Sequence, residues 1–159
     1  MSSSKNSLAT IESFCLKHNI KLTRLRKEVL TLFIEQASPI SAYELLDLIN
    51  KAQTIEKTAT EEKASKHYNI MSIYRVLDFL QQSALIHKLH TSNRYSLCCH
   101  PEKKMCQLLI CTTCGQKTEL HHELLDKTLE ELTQKSGFQI AAHTIEITGL
   151  CRNCVSTLS

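Results

Sequence analysis

Several things are scarce in this 159-residue chain. No apolar run approaches the roughly 20 residues that a membrane span requires, so a spanning helix is not expected. The opening Met-Ser-Ser-Ser-Lys-Asn-Ser has no apolar core of the kind a secretory signal carries, which predicts a cytoplasmic protein. The chain has no His-Glu-x-x-His, and it lacks the His-x-Glu with Pro-Cys-x-x-Cys combination of nucleobase deaminases. A zinc hydrolase or deaminase therefore has nothing to build on, and the chain does not read as an enzyme with a small-molecule substrate. Net charge is low, at +3, but uneven. Residues 1–97 carry 13 Lys and Arg against 9 Asp and Glu, while residues 98–159 carry 6 against 7. The first stretch is the better candidate for contact with an anionic polymer.

Cysteine, by contrast, is plentiful: eight residues, which in a reducing compartment read as metal ligands before disulfides. Four fall in two C-x-x-C pairs, Cys111-Thr-Thr-Cys114 and Cys151-Arg-Asn-Cys154. Each pair can turn two thiolates to one point, and together they supply a closed tetrahedral zinc site. With no coordination position open, such a site is structural. A thioredoxin-like redox role is disfavoured, since the pairs form a matched set and neither is expected to open a helix. The 36 residues between the pairs exceed the spacing of a compact zinc ribbon, and a helix accounts for the excess.

The first ninety residues read as short helices. Leu8, Ile11 and Cys15 form one apolar stripe. Thr23 can cap a second helix carrying Leu25, Val29, Leu32 and Phe33, which Ser38-Pro39 interrupts. Ser41-Ala-Tyr-Glu44 is a capping box that starts a third helix burying Leu45, Leu48 and Ile49. Residues 51–68, polar and charged, read as a solvated loop. A fourth helix follows, with Ile73, Leu77 and Leu80 on one side and Ser72, Arg75, Asp78 and Gln82 on the other. Strands over 85–91 and 94–98 flank a turn at Ser92-Asn93. Helices followed by a hairpin make a winged helix-turn-helix, expected to occupy residues 1–97.

Residues 98–159 read as a small α/β domain. Strands are expected over 107–111 and 116–120, and a helix over 123–135 with Leu125, Leu129 and Leu132 inward. Ser136-Gly137 ends that helix, and a strand over 138–148 should bend near His143, where its apolar parity shifts. A domain of this size benefits from a metal staple.

Read together, Leu22-Thr23 with Arg26, Ser41 to Asp47, Ile73 to Leu80, Ile86 to Leu89, Asn93 to Cys98, Leu109 to Gly115 and Gly149 to Cys154 resemble the ferric uptake regulator family, and more closely its zinc-sensing branch. Two departures stand out. Arg24 follows Thr23 where the family usually has Pro, and the segment 51–69 is longer than usual. The resemblance implies a metal-activated, homodimeric transcriptional repressor that controls zinc uptake genes. Its winged helix would bind double-stranded operator DNA and its α/β domain would dimerise.

The resemblance also assigns residues. His87, Cys98 and Glu119 would hold a regulatory zinc. Members commonly add a His before the first C-x-x-C, but Lys104 stands near that place, so His100 and Cys106 compete for the fourth position, with Cys106 favoured because it begins the strand leading to Cys111. Asp126 and His143 match two ligands of a third site found in some relatives, but the other two positions carry Met105 and Gln107, which are poor ligands. Cys15, Cys99, His121 and His122 receive no role. Tyr43 and Arg75 would read bases, Arg75 through guanine O6 and N7, while Lys21, Arg24, Arg26 and Lys88 would anchor phosphates. An iron- or peroxide-sensing repressor of the same family is the alternative, and the Cys98 thiolate argues for zinc over it. A zinc-bound protein-interaction module that never touches DNA is a further class, opposed by Ser72 to Leu80 and the basic first half.

Overall fold

Local capping chemistry sets where the helices begin. In the computed structural model, which describes residues 7–36, 38–59, 67–103, 105–140 and 143–157, Ser7 opens α1 (Leu8–Lys17) by accepting from the Thr10 N–H. Thr23 stands at the N-cap of α2 (Arg24–Glu35), but its side chain makes no capping hydrogen bond. The Ser41–Glu44 box at the head of α3 (Ala42–Ala59) is complete. The Ser41 N–H donates to Glu44 Oε2 at 2.7 Å and the Glu44 N–H to Ser41 Oγ at 3.3 Å. Asn69 Oδ1 accepts from the Ser72 N–H at 2.9 Å and so caps α4 (Ile70–Gln82).

The solvated loop expected from residue 51 onward is corrected in part. Helix α3 continues through Ala59. The stretch Lys51–Ala59 is polar, yet it has no Gly or Pro and contains Lys, Ala, Gln and Glu, all good helix formers. The segment is polar but helical, not irregular, and Lys51, Ala52 and Thr54 are exposed. The remainder of the expected loop, 60–66, lies outside the described residues.

The chain divides into two units, 1–99 and 100–159. The first has one hydrophobic core. Ile11 and Cys15 from α1, Val29, Leu30 and Phe33 from α2, Leu45 and Ile49 from α3, and Ile73, Leu77 and Leu80 from α4 are all buried in it. Burial raises the Cys15 thiol above its ordinary value, as suits an inert core sulfur. The wing is β1 (Ile86–Leu89) antiparallel to β2 (Arg94–Leu97), a shorter hairpin than the sequence suggests, with residues 90–93 turning the corner. Asn93 closes that turn at φ 51°, a left-handed conformation that Asn tolerates. The segment after α2 adds a bridge to the wing, through paired hydrogen bonds of 2.9 and 2.8 Å between the Ile40 and Tyr95 backbones.

The second unit is a three-stranded sheet in the order β4–β3–β5. Strand β3 (Met105–Cys111) runs antiparallel to β4 (Lys117–Leu120) and parallel to β5 (His143–Gly149), the crossover containing α5 (Glu123–Lys135). Gly137, at φ 74°, follows the end of α5. Two expectations change here. The last strand begins at His143, not at residue 138, and the expected bend falls partly on 141–142, outside the described residues. Of the leucines expected inward on α5, Leu129 is half-buried and the other two are not. Leu124, Leu125 and Leu132 are exposed, and α5 has no buried residue.

Candidate functional site

The parallel pairing of β3 with β5 puts Cys111 beside Gly149, so both C-x-x-C pairs emerge at one end of the sheet. Hydrogen bonds pin them there. The Thr112 N–H donates to the Gly149 carbonyl at 2.8 Å and the Gly115 N–H to the Cys111 carbonyl at 2.9 Å, with Gly115 at φ 71°. Contrary to expectation, the second pair does open a helix: Cys151 is the N-cap of α6 (Arg152–Ser156). This does not restore a redox reading, because the four sulfurs of Cys111, Cys114, Cys151 and Cys154 lie within 4.8 Å of one another. Cys114 Sγ is 3.7 Å from Cys151 Sγ. That is far longer than a disulfide of about 2.05 Å, and it matches the edge of about 3.8 Å expected for a sulfur tetrahedron with zinc bonds of about 2.3 Å.

The electrostatics of this cluster call for a cation. Backbone N–H groups, led by Cys114 and then Cys151, draw the Cys111 thiol down to about 6. The Cys151 side chain, then burial, push Cys154 up to about 12. One thiolate forms readily while a neighbour keeps its proton. Four thiolates together require a balancing metal ion, and the donor set suits zinc.

The remaining expected ligands divide between the units. In the first, His87 lies on β1 and Cys98 follows β2. The Cys98 N–H donates to the Leu85 carbonyl at 2.9 Å, closing the base of the wing, and a ring nitrogen of His87 lies within 4.8 Å of the Cys98 sulfur. In the second unit, Cys106, Glu119 and His121 bring one ligand atom each within 4.8 Å of the others. The antiparallel ladder explains this grouping. Gln107 faces Leu120 and Leu108 faces Glu119, so continuing the register sets Cys106 opposite residue 121, on the face that Glu119 also occupies. His121 is the ligand-type residue that sequence reasoning passed over. The only signal is its place two residues after Glu119, since the strand expected over 116–120, like β4 itself, ends one residue before it.

The Glu119 side chain is 3% exposed and that of Lys117 12%. Lys117 Nζ sits 2.6 Å from Glu119 Oε1, so a cation already balances this buried carboxylate. His121 Nε2 lies 3.9 Å from Glu119 Oε2. Burial first, then His100 and Lys103, hold the His121 imidazole below its ordinary pKa, in the neutral form that binds metals. His100 falls in no three-ligand group among the described residues. Its ring packs edge-on against His121 with centroids 4.3 Å apart. Lys104 lies outside the described residues. Of the possible third site, Asp126 is engaged by Gln107, whose Nε2 donates to Asp126 Oδ1 at 2.8 Å, and His143 falls outside the described side chains.

On the first unit, Tyr43 is 64% exposed on the first turn of α3. Arg75 is exposed on α4 and, among the described residues, forms no ion pair with Asp78. The basic residues expected at phosphates have partners of their own. Arg24 pairs with Glu28 at 2.7 Å, and Lys88 Nζ lies 5.9 Å from the Tyr95 ring centroid. Arg26 places its guanidinium 3.2 Å from the Phe79 ring centroid and donates to the Lys21 carbonyl at 2.7 Å. Arg94, not singled out by sequence, ties the wing to α3 by donating to the Pro39 carbonyl at 2.7 Å and to Glu44 Oε1 at 2.9 Å.

The ferric uptake regulator family model matches residues 17–148. A zinc uptake regulation protein of Escherichia coli (strain K12) is 35% identical over 150 residues, covering 93% of this chain and 81% of that protein. Among solved structures, a zinc uptake regulator complexed with zinc and DNA superposes with a TM-score of 0.81 at 32% identity, covering 99% of each chain. Holo XcZur superposes with a TM-score of 0.78 at 31% identity, covering 94% of this chain and 96% of that one. With the four-cysteine cluster and winged helix already in place, these likenesses show that the chain belongs to the ferric uptake regulator family, in its zinc uptake regulator branch.

Proposed function

We propose that this protein is a zinc-responsive transcriptional repressor, not an enzyme. It acts in the cytoplasm as a homodimer, binds operator DNA when its regulatory zinc site is filled, and so controls zinc uptake genes. The observation that carries this reading is the likeness, over 99% of both chains, to a zinc uptake regulator solved with zinc and DNA. The exposed leucines of α5 support a homodimer, since an apolar face of that kind needs a partner.

The residues divide the work. Cys111, Cys114, Cys151 and Cys154 hold a structural zinc that ties the ends of the parallel strands β3 and β5 together at one edge of the sheet. His87 and Cys98 from the first unit and Glu119 from the second serve the regulatory zinc, with Cys106 the favoured addition. His100 is the weaker candidate, since it packs on an imidazole instead of joining a ligand group. When bound, zinc supplies a cross-link among its ligands. Tyr43 and Arg75 then meet base edges from one fixed arrangement, and Arg24, Arg26 and Lys88 meet phosphates. Without zinc, operator affinity falls with the fraction of binding-competent conformers.

An iron- or peroxide-sensing repressor is the second reading. The thiolates among the regulatory candidates favour zinc over it, since such sensors rely on nitrogen and oxygen ligands. Binding to a duplex selected from a random-sequence pool, titrated against buffered free zinc and against ferrous iron, decides between them. Zinc should drive binding at far lower free concentration, with metal counted per chain. DNA binding indifferent to both metals would overturn the reading.

A further inference from the structure

We infer that Cys106, Glu119 and His121 form a zinc site contained within the second unit, with His121 supplying its nitrogen ligand. This rests on the zinc-regulator reading and deepens it. It replaces the choice between Cys106 and His100 with a pair, Cys106 on β3 and His121 immediately after β4.

Four observations carry it. The three ligand atoms lie within 4.8 Å of one another, where the β3–β4 pairing brings Cys106 close to Glu119 and to His121, the residue directly after β4. All three side chains are withdrawn from solvent. Cys106 is 4% exposed, and the Glu119 and His121 side chains are 3% and 9% exposed. Neither ring nitrogen of His121 completes a hydrogen bond of proper geometry among the described residues. Finally, the 3.9 Å between His121 Nε2 and Glu119 Oε2 is too long for a hydrogen bond. It approaches the spacing of about 3.4 Å that two ligands take on a tetrahedral zinc with bonds of about 2.05 Å.

The donor set is one thiolate, one imidazole and one carboxylate. It selects zinc over magnesium or calcium, which take oxygen ligands. Three protein ligands leave one position for water or for a further side chain, so the second unit can capture zinc before the first contributes anything. Lys117 is then the competitor, because its ammonium balances Glu119 whenever zinc does not.

The test uses the full chain loaded with zinc at the four-cysteine site and titrated with cobalt(II), whose thiolate charge-transfer band and d–d intensity report sulfur ligation and coordination number. A His87→Ala/Cys98→Ser variant should still bind one cobalt per chain with a single thiolate band. Adding His121→Ala or Cys106→Ser should weaken that binding about tenfold or more, while His100→Ala should not. His121→Cys should restore binding and add thiolate intensity, which no purely structural role for His121 would do. Retained four-cysteine zinc shows that each variant is folded. Loss of all second-site cobalt in His87→Ala/Cys98→Ser, or equal cobalt affinity with and without His121, overturns the inference. Zinc-dependent DNA binding by the unaltered protein is measured separately. If that persists, the functional reading stands even where the triad fails.

Discussion

At the scale of single residues, Glu44 does two jobs. Its carboxylate accepts from the Ser41 N–H and from the Arg94 guanidinium, joining the head of α3 to the wing. The Ser41 backbone N–H, then the Ser41 hydroxyl, hold its pKa below the ordinary glutamate value, and Arg94 adds to this. Because the folded pKa is the lowered one, the stabilisation is present at neutral pH and disappears as pH falls through the acid range. Glu44→Ala should cost about 1 kcal/mol, mostly from the lost cap, since an exposed ion pair adds little. Urea unfolding from pH 7 down to pH 3 checks this. The gap between Glu44→Ala and the unaltered protein should narrow with acid. Arg75 makes the complementary case on the DNA side. If it reads a guanine, Arg75→Ala should cost about 1–3 kcal/mol and relax preference at one base pair per half-site. Lys88→Ala should weaken binding on all sequences evenly and reduce its salt dependence. A panel of single-base operator variants separates the two, and equal losses on specific and random DNA would make Arg75 a phosphate anchor.

At the scale of elements, the extension of α3 is the sharpest departure from sequence expectation. An exposed polar helix and an exposed polar loop look alike in composition, but they respond differently to glycine. Ala52→Gly should lower stability by about 1 kcal/mol if the backbone there is helical, and by almost nothing if it is not. Thermal unfolding with helix content followed by circular dichroism reads the difference. Helix α5 teaches a related lesson. Its leucine periodicity correctly announces an amphipathic helix, but periodicity does not say which molecule covers the stripe, and Leu125 and Leu132 are exposed. In the β3–β4 ladder the same physics works at shorter range. Alternation along the strand aligns Glu119 with His121, and register alone brings Cys106 to them.

At the scale of the whole molecule, the two classes of zinc site should separate under chelation and mutation. Four thiolates enclose the structural ion, so graded chelation should remove the regulatory zinc first, and metal analysis along the titration should show two steps. Cys98→Ser should weaken zinc-dependent DNA binding while the second unit stays folded. Cys111→Ser should instead unfold that unit, because metal binding and folding are linked there. Two variants that unfold alike would sink the division between structural and sensing roles.

Much of this was legible in the chain because the signals are local. Two C-x-x-C pairs announce a closed zinc site by spacing alone. The Ser41–Glu44 box starts a helix because its partners are three residues apart. Ile73, Leu77 and Leu80 mark the buried side of α4, leaving Arg75 on the other. Tertiary structure decided what depends on distant segments. That Arg26 also packs its guanidinium on the Phe79 ring depends on where α4 lies. That Asp126 accepts from the Gln107 amide depends on where β3 lies. His121 reads as an idle surface histidine until the β3–β4 register closes it on Cys106 and Glu119. Spacing along a chain specifies which side chains can share a helix turn or a strand face. Only the pairing of one strand with another specifies which of them share a metal.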